Sequence, residues 1–229
     1  KPLLNLRILL QTCAGTLVAT IAYLATFIPL LFLQSGALSP LQLLTQQKTM
    51  FDGLNSLATV THPYASKFWM WHTLMRPMWY HFENAENHTR CVFAGGNPAL
   101  YWTTLPLVFL LLWLFFKRSF KHLTSPVLHE RAQRILALHY WIPMIFWILT
   151  PRSTQYFYYF IVPSLWLAPI FVWFVEHKLT GLTKFKRKRL LFGFTILCAV
   201  LFLYFLPILN GQEIRPERYR AFMWFNSWI

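Results

Sequence analysis

Uncharged stretches long enough to cross a lipid bilayer dominate the pattern of this chain. Residues 8–47 contain no Asp, Glu, Lys or Arg, and a bilayer core needs only about 20 apolar residues in helical form. Four more apolar segments follow, at 98–116, 126–149, 153–175 and 190–209. The pattern predicts an all-α integral membrane protein with about five transmembrane helices.

Composition excludes a soluble domain. Hydrophobic residues make up 56% of the 229 residues and charged residues only 12%, whereas a soluble domain carries about 25% charged residues. The net charge of +14 would suit a nucleic-acid-binding protein, but six of the positive charges lie in the segment 176–189, beside two predicted spans. Such charges set membrane topology and contact anionic lipid headgroups. We therefore expect membrane lipids, and no nucleic acid, as partners.

The basic residues also predict which side of the membrane each loop occupies. With five crossings, the segments 1–7, 117–134 and 176–189 lie on one side, and they hold thirteen of the 21 Lys and Arg residues. Short loops rich in Lys and Arg remain on the cytoplasmic side. The external side then receives three segments, at 34–97, 150–154 and 210–229.

The external loop 34–97 contains an unusual aromatic stretch, HPYASKFWMWHTLMRPMWYHFE, at 62–83. At helical spacing, one of its faces is apolar and contains Phe68, Trp71, Met75 and Phe82. The stretch predicts an amphipathic helix in the membrane interface, kinked at Pro77. On composition alone, such a helix could serve only as an aromatic anchor.

The sequence has no signature of metal binding, nucleotide binding, serine hydrolysis or a disulfide framework. The spacings of His62, His72, His81 and His88 do not match the close pairs of zinc sites. Nucleotide-binding and serine-hydrolase glycine patterns are absent from the sequence, and three cysteines give no disulfide framework. We therefore expect no metal site and no cofactor.

Three stretches together carry a resemblance to a known family. The first resembles the signature H-P-Y-x-S-x-W-x-x-W-P-x-x-x-R-P-x-W-Y-Y of the protein O-mannosyltransferases, membrane glycosyltransferases of the GT-C type. Its matching residues are His62, Pro63, Tyr64, Ser66, Trp71, Arg76, Pro77, Trp79 and Tyr80. His72 replaces the usual proline. The stretches TPRSTQYFYYFIVPS and FLPILNGQEI…FMWFNSWI are similar to two later family motifs, so the resemblance covers 62–229 and corresponds to the C-terminal membrane region.

The resemblance implies transfer of mannose, with inversion, from a polyprenyl-phosphate-linked sugar to Ser or Thr hydroxyls of an acceptor protein. Such transfer needs a carboxylate base, which in the family lies in a first external loop upstream of this region. The external acids here match no catalytic pair: Asp52, Glu83, Glu86, Glu213 and Glu217. We assign no catalytic residue, and expect 1–229 to be a C-terminal multi-pass domain that is inactive without an upstream segment or a partner subunit.

The family-like motifs also suggest which residues bind substrate. Arg76 and Arg152 are candidates for the lipid phosphate, because guanidinium groups suit phosphate oxygens. Each arginine could instead snorkel or pair with a glutamate. Tyr64, His62 and Tyr158 are further candidates for hydrogen bonds to sugar or peptide.

Two other functional classes remain open at this point. A related lipid-A aminoarabinose-type transferase would share the GT-C architecture, and a noncatalytic scaffold or transporter fragment would share the helices. A transporter favours ionisable groups at mid-membrane, and the predicted spans hold few. Eukaryotic members of the family that this chain resembles carry a long luminal insert in the middle of this region. The chain lacks such an insert, so we expect a bacterial cytoplasmic membrane, with the site on its external face.

Overall fold

A computed structural model describes residues 6–32, 36, 38–56, 62–85, 87–117, 128–150 and 152–228. The chain divides into two compact units, Lys1–Leu57 and Ala58–Ile229. Among the described residues, five segments are long and apolar enough to cross a membrane: Cys13–Phe32, Pro98–Lys117, Glu130–Leu149, Phe157–His177 and Lys184–Leu209. The predicted membrane fold with five spans is therefore confirmed.

The first unit contains two helices, α1 (Leu6–Ala25) and α2 (Pro40–Ser56), with a 3-10 turn at Ile28–Phe32 after α1. Ser39 and Gln42 form a reciprocal cap at the start of α2. The backbone N–H of Ser39 donates to Gln42 Oε1 at 2.7 Å, and the backbone N–H of Gln42 donates to Ser39 Oγ at 3.3 Å. This pairing satisfies two free amides of the helix start. Within the predicted external loop 34–97, residues Pro40–Ser56 are therefore helical.

The second unit contains the other helices and all the strands of the described chain. Its elements are α3 (Phe68–Thr73), β1 (Met78–Asn84), β2 (Thr89–Ala94), α4 (Pro98–Lys117), α5 (Leu128–Leu149), α6 (Ile161–Ser164), α7 (Leu167–His177), α8 (Lys184–Leu209), β3 (Glu213–Ile214) and α9 (Pro216–Phe222). Further 3-10 turns lie at Phe157–Phe160 and Asn226–Trp228. The strands form one antiparallel sheet in the order β1-β2-β3.

Helix α4 lies at the centre of this unit, in contact with α3, α5, α7 and α8. Its buried residues recur at helical spacing and include Tyr101, Thr104, Val108 and Leu111. The opposite face carries exposed apolar side chains such as Phe109 and Trp113. An apolar face of this size suits lipid rather than water, so α4 buries one face in protein and presents the other to the membrane.

The predicted helix boundaries need two corrections. The fourth span is broken between α6 and α7, because Pro169 lacks the amide that would bond to Leu165. The last helix begins at Lys184, six residues before its predicted start, because Thr183 caps it by accepting from the backbone N–H of Lys186. The basic run is therefore the first turns of a helix. The predicted start of the third span, at position 126, lies outside the described residues.

The predicted interfacial helix is wrong beyond Thr73. Helix α3 has only six residues and ends at Leu74, whose φ of 58° is left-handed. Residues 78–84 form β1 instead, paired with β2. Proline disfavours the helical conformation for the residue before it, so Arg76 and Pro77 prevent the helix from continuing. The aromatic residues that follow favour a strand.

The end of the chain holds the sheet in place. Trp79 Nε1 donates to Trp228 O at 2.9 Å, and Trp228 Nε1 donates to Leu74 O at 2.6 Å. Ser227 Oγ donates to the carbonyl of Met75. Both indoles are buried. The terminal motif therefore fixes the turn that contains Arg76.

His72 joins α3 to two membrane helices. Its Nδ1 lies 2.6 Å from Tyr140 Oη, and its Nε2 lies 2.8 Å from Tyr101 O and 3.1 Å from Thr104 Oγ1. Burial lowers the pKa of His72 to about 4, although the hydrogen bond with the Tyr101 carbonyl acts in the opposite direction. The ring is therefore neutral at pH 7, with Nε2–H donating to the carbonyl and Nδ1 accepting from the tyrosine.

This burial predicts a loss of stability in acid. In the unfolded state His72 takes up a proton near its ordinary pKa of 6.5, whereas in the folded state it resists protonation until about pH 4. The unfolded state binds more protons between these values, so stability falls as pH falls, by up to about 1.4 kcal/mol per pH unit. Thermal unfolding of the purified protein in neutral detergent, from pH 7 to 4.5, measures this slope.

The His72→Gln variant keeps a hydrogen-bond donor and an acceptor but cannot be protonated. We therefore expect its melting temperature to fall less steeply than that of the wild type as the pH falls. His81→Gln is the control, because His81 is exposed, and it should retain the wild-type slope. Equal slopes for the wild type and His72→Gln would show that His72 does not carry the effect.

Candidate functional site

The segment 62–67 forms a turn that is fastened on two sides. The backbone N–H of Ala65 donates to His62 O at 2.9 Å, and that of Ser66 donates to Gln155 O at 2.7 Å. Trp71 Nε1 donates to Ser66 Oγ at 2.8 Å. Ser66 is buried between its partners. The His-Pro-Tyr-x-Ser motif is thus held against the segment that follows α5.

Arg76 also bonds to this turn. Its Nη2 donates to the carbonyl of Pro63, between the two candidate residues His62 and Tyr64. Among the described residues, no carboxylate pairs with Arg76. A guanidinium group has five N–H donors, so this bond leaves others for a ligand. The alternative of a glutamate pair is therefore not seen among the described residues, where the partner of Arg76 is a backbone carbonyl.

An array of aromatic rings connects His62 with Tyr158. His62 lies 5.6 Å from Tyr64 and 5.6 Å from Tyr156, measured between ring centroids. Tyr156 stacks on Tyr158 at 5.4 Å, and Tyr158 lies 4.6 Å from Tyr159. Tyr158 remains partly exposed. The array presents polar phenol groups around an accessible surface.

Arg152 lies at the end of this array. Its guanidinium carbon is 5.8 Å from the ring centroid of Tyr159, in a cation–π contact. Its Nε is buried and has no hydrogen-bond partner in the part of the chain that the structure describes. A buried donor without a partner costs free energy. Arg152 is therefore a cation with an unused donor.

The structure brings the five candidate residues into one neighbourhood. His62, Tyr64 and Tyr158 are linked through rings, Arg152 through Tyr159, and Arg76 through the Pro63 carbonyl. The sequence analysis did not single out the connecting residues Tyr156 and Tyr159, although the aromatic run at 156–160 is visible in the sequence.

Tyr219 of α9 is a further residue that the sequence analysis missed. Burial, with smaller effects from Cys91 and Tyr64, raises the pKa of Tyr219 to about 12. Its hydroxyl therefore stays protonated at pH 7 and can donate a hydrogen bond. Its ring packs against Trp79 and Phe82 of β1, at centroid distances of 6.1 and 5.7 Å, and no local pattern in the sequence relates α9 to this strand.

An apolar groove of about 560 Å³ begins at this cluster. Its walls come from α5 and from the 157–162 segment, and they include Ile142, Phe146, Trp147, Tyr158, Tyr159 and Ile161. Both walls belong to candidate spans. The groove therefore extends from the tyrosines into the membrane region.

The carboxylates of the second unit with described ion pairs have partners outside the cluster. Glu83 lies on β1 with its Oε2 3.7 Å from His81 Nε2, and Glu176 pairs with Arg187 on α8. Asp52 belongs to the first unit, and Glu86 lies outside the described residues. None of the described carboxylates forms an ion pair with Arg76 or Arg152. The cluster is cationic and aromatic in character.

Comparison with known proteins identifies several relatives. A polyprenol-phosphate-mannose–protein mannosyltransferase of Corynebacterium glutamicum is 27% identical over 73% of this chain and 32% of its own length. A protein of the same name in Mycobacterium tuberculosis is 22% identical over 77% of this chain and 34% of its own length. The chain thus spans about a third of these curated relatives.

A solved structure shares the fold. The Saccharomyces cerevisiae protein O-mannosyltransferase Pmt1-Pmt2 complex, bound to the sugar donor, matches with a TM-score of 0.59 and 17% identity over 84% of this chain and 27% of the yeast chain. Residues 41–228 match the family described as the C-terminal four TMM region of protein-O-mannosyltransferase. Four of the five candidate spans lie within this match, and the chain therefore belongs to the protein O-mannosyltransferase family, as a C-terminal membrane region.

Proposed function

We propose that this chain forms the C-terminal membrane region of a polyprenyl-phosphate-mannose-dependent protein O-mannosyltransferase, where it helps to bind the lipid donor and the acceptor protein. The observation that carries the proposal is the cluster of Arg152, Arg76, His62, Tyr64 and Tyr158. The cluster has cations for a phosphate, hydroxyls for a sugar or peptide, and an apolar groove beside it for a polyprenyl chain.

Arg152 is the stronger of the two phosphate candidates. Its buried Nε has no partner among the described residues, and a phosphate oxygen would supply one. Stacking on Tyr159 limits the motion of the guanidinium, so less entropy is lost when it binds. Arg76 has a second task, because it holds the Pro63 carbonyl and thereby positions His62 and Tyr64.

The role is binding rather than proton transfer. Inverting transfer to a hydroxyl needs a base within hydrogen-bond reach, and the described carboxylates do not pair with the cluster. The base comes, in this proposal, from another segment or from a partner subunit. The family's base lies in an upstream external loop, which supports the first source, and the yeast relative is a complex of two different subunits.

The cluster lies on the external face of a bacterial cytoplasmic membrane in this proposal. Within the second unit, α5 ends at the cluster, whereas α8 begins with the basic run at the other end of the helices. The positive-inside rule places that basic run in the cytoplasm. The curated relatives named above are bacterial, which supports the choice of membrane.

Replacement of Arg152 tests the phosphate site. In the complete enzyme that contains this region, Arg152→Gln should lower kcat/KM for polyprenyl-phosphate-mannose about 10- to 100-fold, because a charged hydrogen bond contributes about 1.5–3 kcal/mol. Radiolabelled mannose transfer to a Ser/Thr peptide measures the effect. Arg215→Gln, at an exposed arginine, should leave transfer unchanged. Normal transfer by a correctly inserted Arg152→Gln protein would remove Arg152 from the site.

Replacement of Arg76 tests whether donor binding needs a planar guanidinium group that can bond to two partners. Arg76→Lys keeps the charge but cannot bond to Pro63 and to a phosphate in one plane, so kcat/KM for the donor should fall about 5- to 100-fold, as for a loss of about 1–3 kcal/mol. Arg90→Lys is a matched control, because Arg90 Nε also donates to a backbone carbonyl, that of Gly211, at 3.1 Å. Equal, small losses in both variants would give Arg76 a structural role only.

Thiol labelling tests the orientation of the cluster. In a cysteine-free background, we expect cysteines at Lys67 and Asn226 to react with an impermeant reagent added outside intact cells, and one at Thr180 to be protected. All three positions are exposed in the folded chain, so accessibility depends on the side of the membrane. Labelling of Thr180→Cys alone would reverse the orientation and move the cluster to the cytoplasm.

A further inference from the structure

A second apolar groove lies between α5 and α7 and has a volume of about 580 Å³. Ala132 and Ile135 line it on α5, and Ala168, Val172 and Trp173 line it on α7. The small alanine side chains leave space between the helices. The residues of this groove on α5 lie near the start of that helix, about 25 Å along it from its end at the candidate site.

Both walls of this groove belong to candidate spans, so its open side faces the hydrocarbon of a membrane. Ile135 and Val172 are roughly half exposed. Glu176 and His177 lie at one end of the lining and the rest of it is apolar, so water along most of the groove would lack hydrogen-bond partners. A hydrocarbon chain is the occupant that fits the lining.

Two cationic side chains, Lys178 and Arg187, lie beside the cytoplasmic end of the groove, as oriented above. Lys178 Nζ lies 5.3 Å from the ring centroid of Trp173, which lines the groove. Glu176 also lines it, and Arg187 Nη1 donates to the Glu176 backbone carbonyl at 3.3 Å. The Nε of Arg187 lies 3.4 Å from Glu176 Oε2. The start of α8 is thereby fixed beside the end of the groove.

The charge at this end is strongly unbalanced. The segment 176–189 contains six Lys and Arg residues against the single carboxylate of Glu176. Five of the six lie in the first turns of α8, where the helix dipole is positive and repels cations. Lys184, Lys186 and Lys188 are exposed. An anionic group bound at this helix start would relieve the repulsion.

We propose that this groove and the cations beside it form a binding site for an anionic phospholipid. One acyl chain lies in the groove between α5 and α7, and the phosphodiester contacts Lys178 and the first turns of α8. The site is separate from the donor-binding cluster, and it does not depend on sugar transfer. Its occupant comes from the surrounding bilayer.

Native mass spectrometry of the purified chain in neutral detergent tests the site. Phosphatidylglycerol and phosphatidylcholine with identical acyl chains are added at equal concentration. We expect retention of one phosphatidylglycerol molecule at an occupancy several-fold above that of phosphatidylcholine. Equal retention of the two lipids by the wild-type protein would overturn the proposal before any variant is made.

Two variants locate the bound lipid. Lys178→Gln should lower phosphatidylglycerol occupancy about fivefold, the ratio for about 1 kcal/mol per cation near a membrane surface. Ala168→Phe should fill the groove and lower occupancy of both lipids. The matched controls are Arg215→Gln at an exposed cation and Ala199→Phe at an exposed alanine of α8, and both should behave as wild type. Circular dichroism identifies any variant that fails to fold.

Competition separates the lipid from other anions. Inorganic phosphate, at the same concentration as the lipid, should not displace phosphatidylglycerol, because it lacks the acyl chain. Displacement by phosphate would show a site for free anions, and preferential retention of polyprenyl phosphate would show a second donor site. Selective phosphatidylglycerol binding that survives both Lys178→Gln and Ala168→Phe would place the lipid elsewhere. Each of these results contradicts the proposal.

Discussion

Two adjacent buried side chains on α3 hold the candidate site to the membrane helices. Trp71 donates to Ser66 and so fixes the His-Pro-Tyr turn, while His72 bonds to Tyr101, Thr104 and Tyr140. A buried polar group without partners would cost about 1–3 kcal/mol, and here both indole and imidazole are satisfied. A helix of six residues has little stability of its own. Its position, and with it that of Arg76, depends on these contacts.

Much of the membrane fold could be predicted from the sequence, because a bilayer requires long apolar helices whose backbone groups bond internally. The three-stranded sheet could not be predicted from the sequence. The apolar residues at Phe68, Trp71 and Met75 match a helical period, and the partners of β1 lie in β2 and in the distant β3. Only Pro77 gave a local sign that the helix ends, and its effect was interpreted as a kink rather than a termination.

The sequence selects the candidate site residues, but it does not reveal the contacts that connect them. Family-like motifs selected Arg76 and Arg152, and the folded chain links both to one cluster. The bond from Ser66 to Gln155 joins two motifs that are distant in the sequence. Such contacts have no spacing pattern to reveal them. The bond between Arg76 and the Pro63 carbonyl gives this side chain an architectural role, in addition to the binding role that we propose for it.

In the two binding sites that we propose, at opposite ends of the same helices, the cations differ in their surroundings. Arg152 is half-buried against Tyr159 with its Nε withdrawn from solvent, so a single charge there acts at reduced dielectric and is screened little by salt. The cations at the start of α8 are mostly exposed, where individual contacts are weak and screened. Several are needed to hold one headgroup. A desolvated cation such as Arg152 is suited to selective binding of one substrate, whereas the exposed cations of α8 are suited to weaker binding of an abundant lipid.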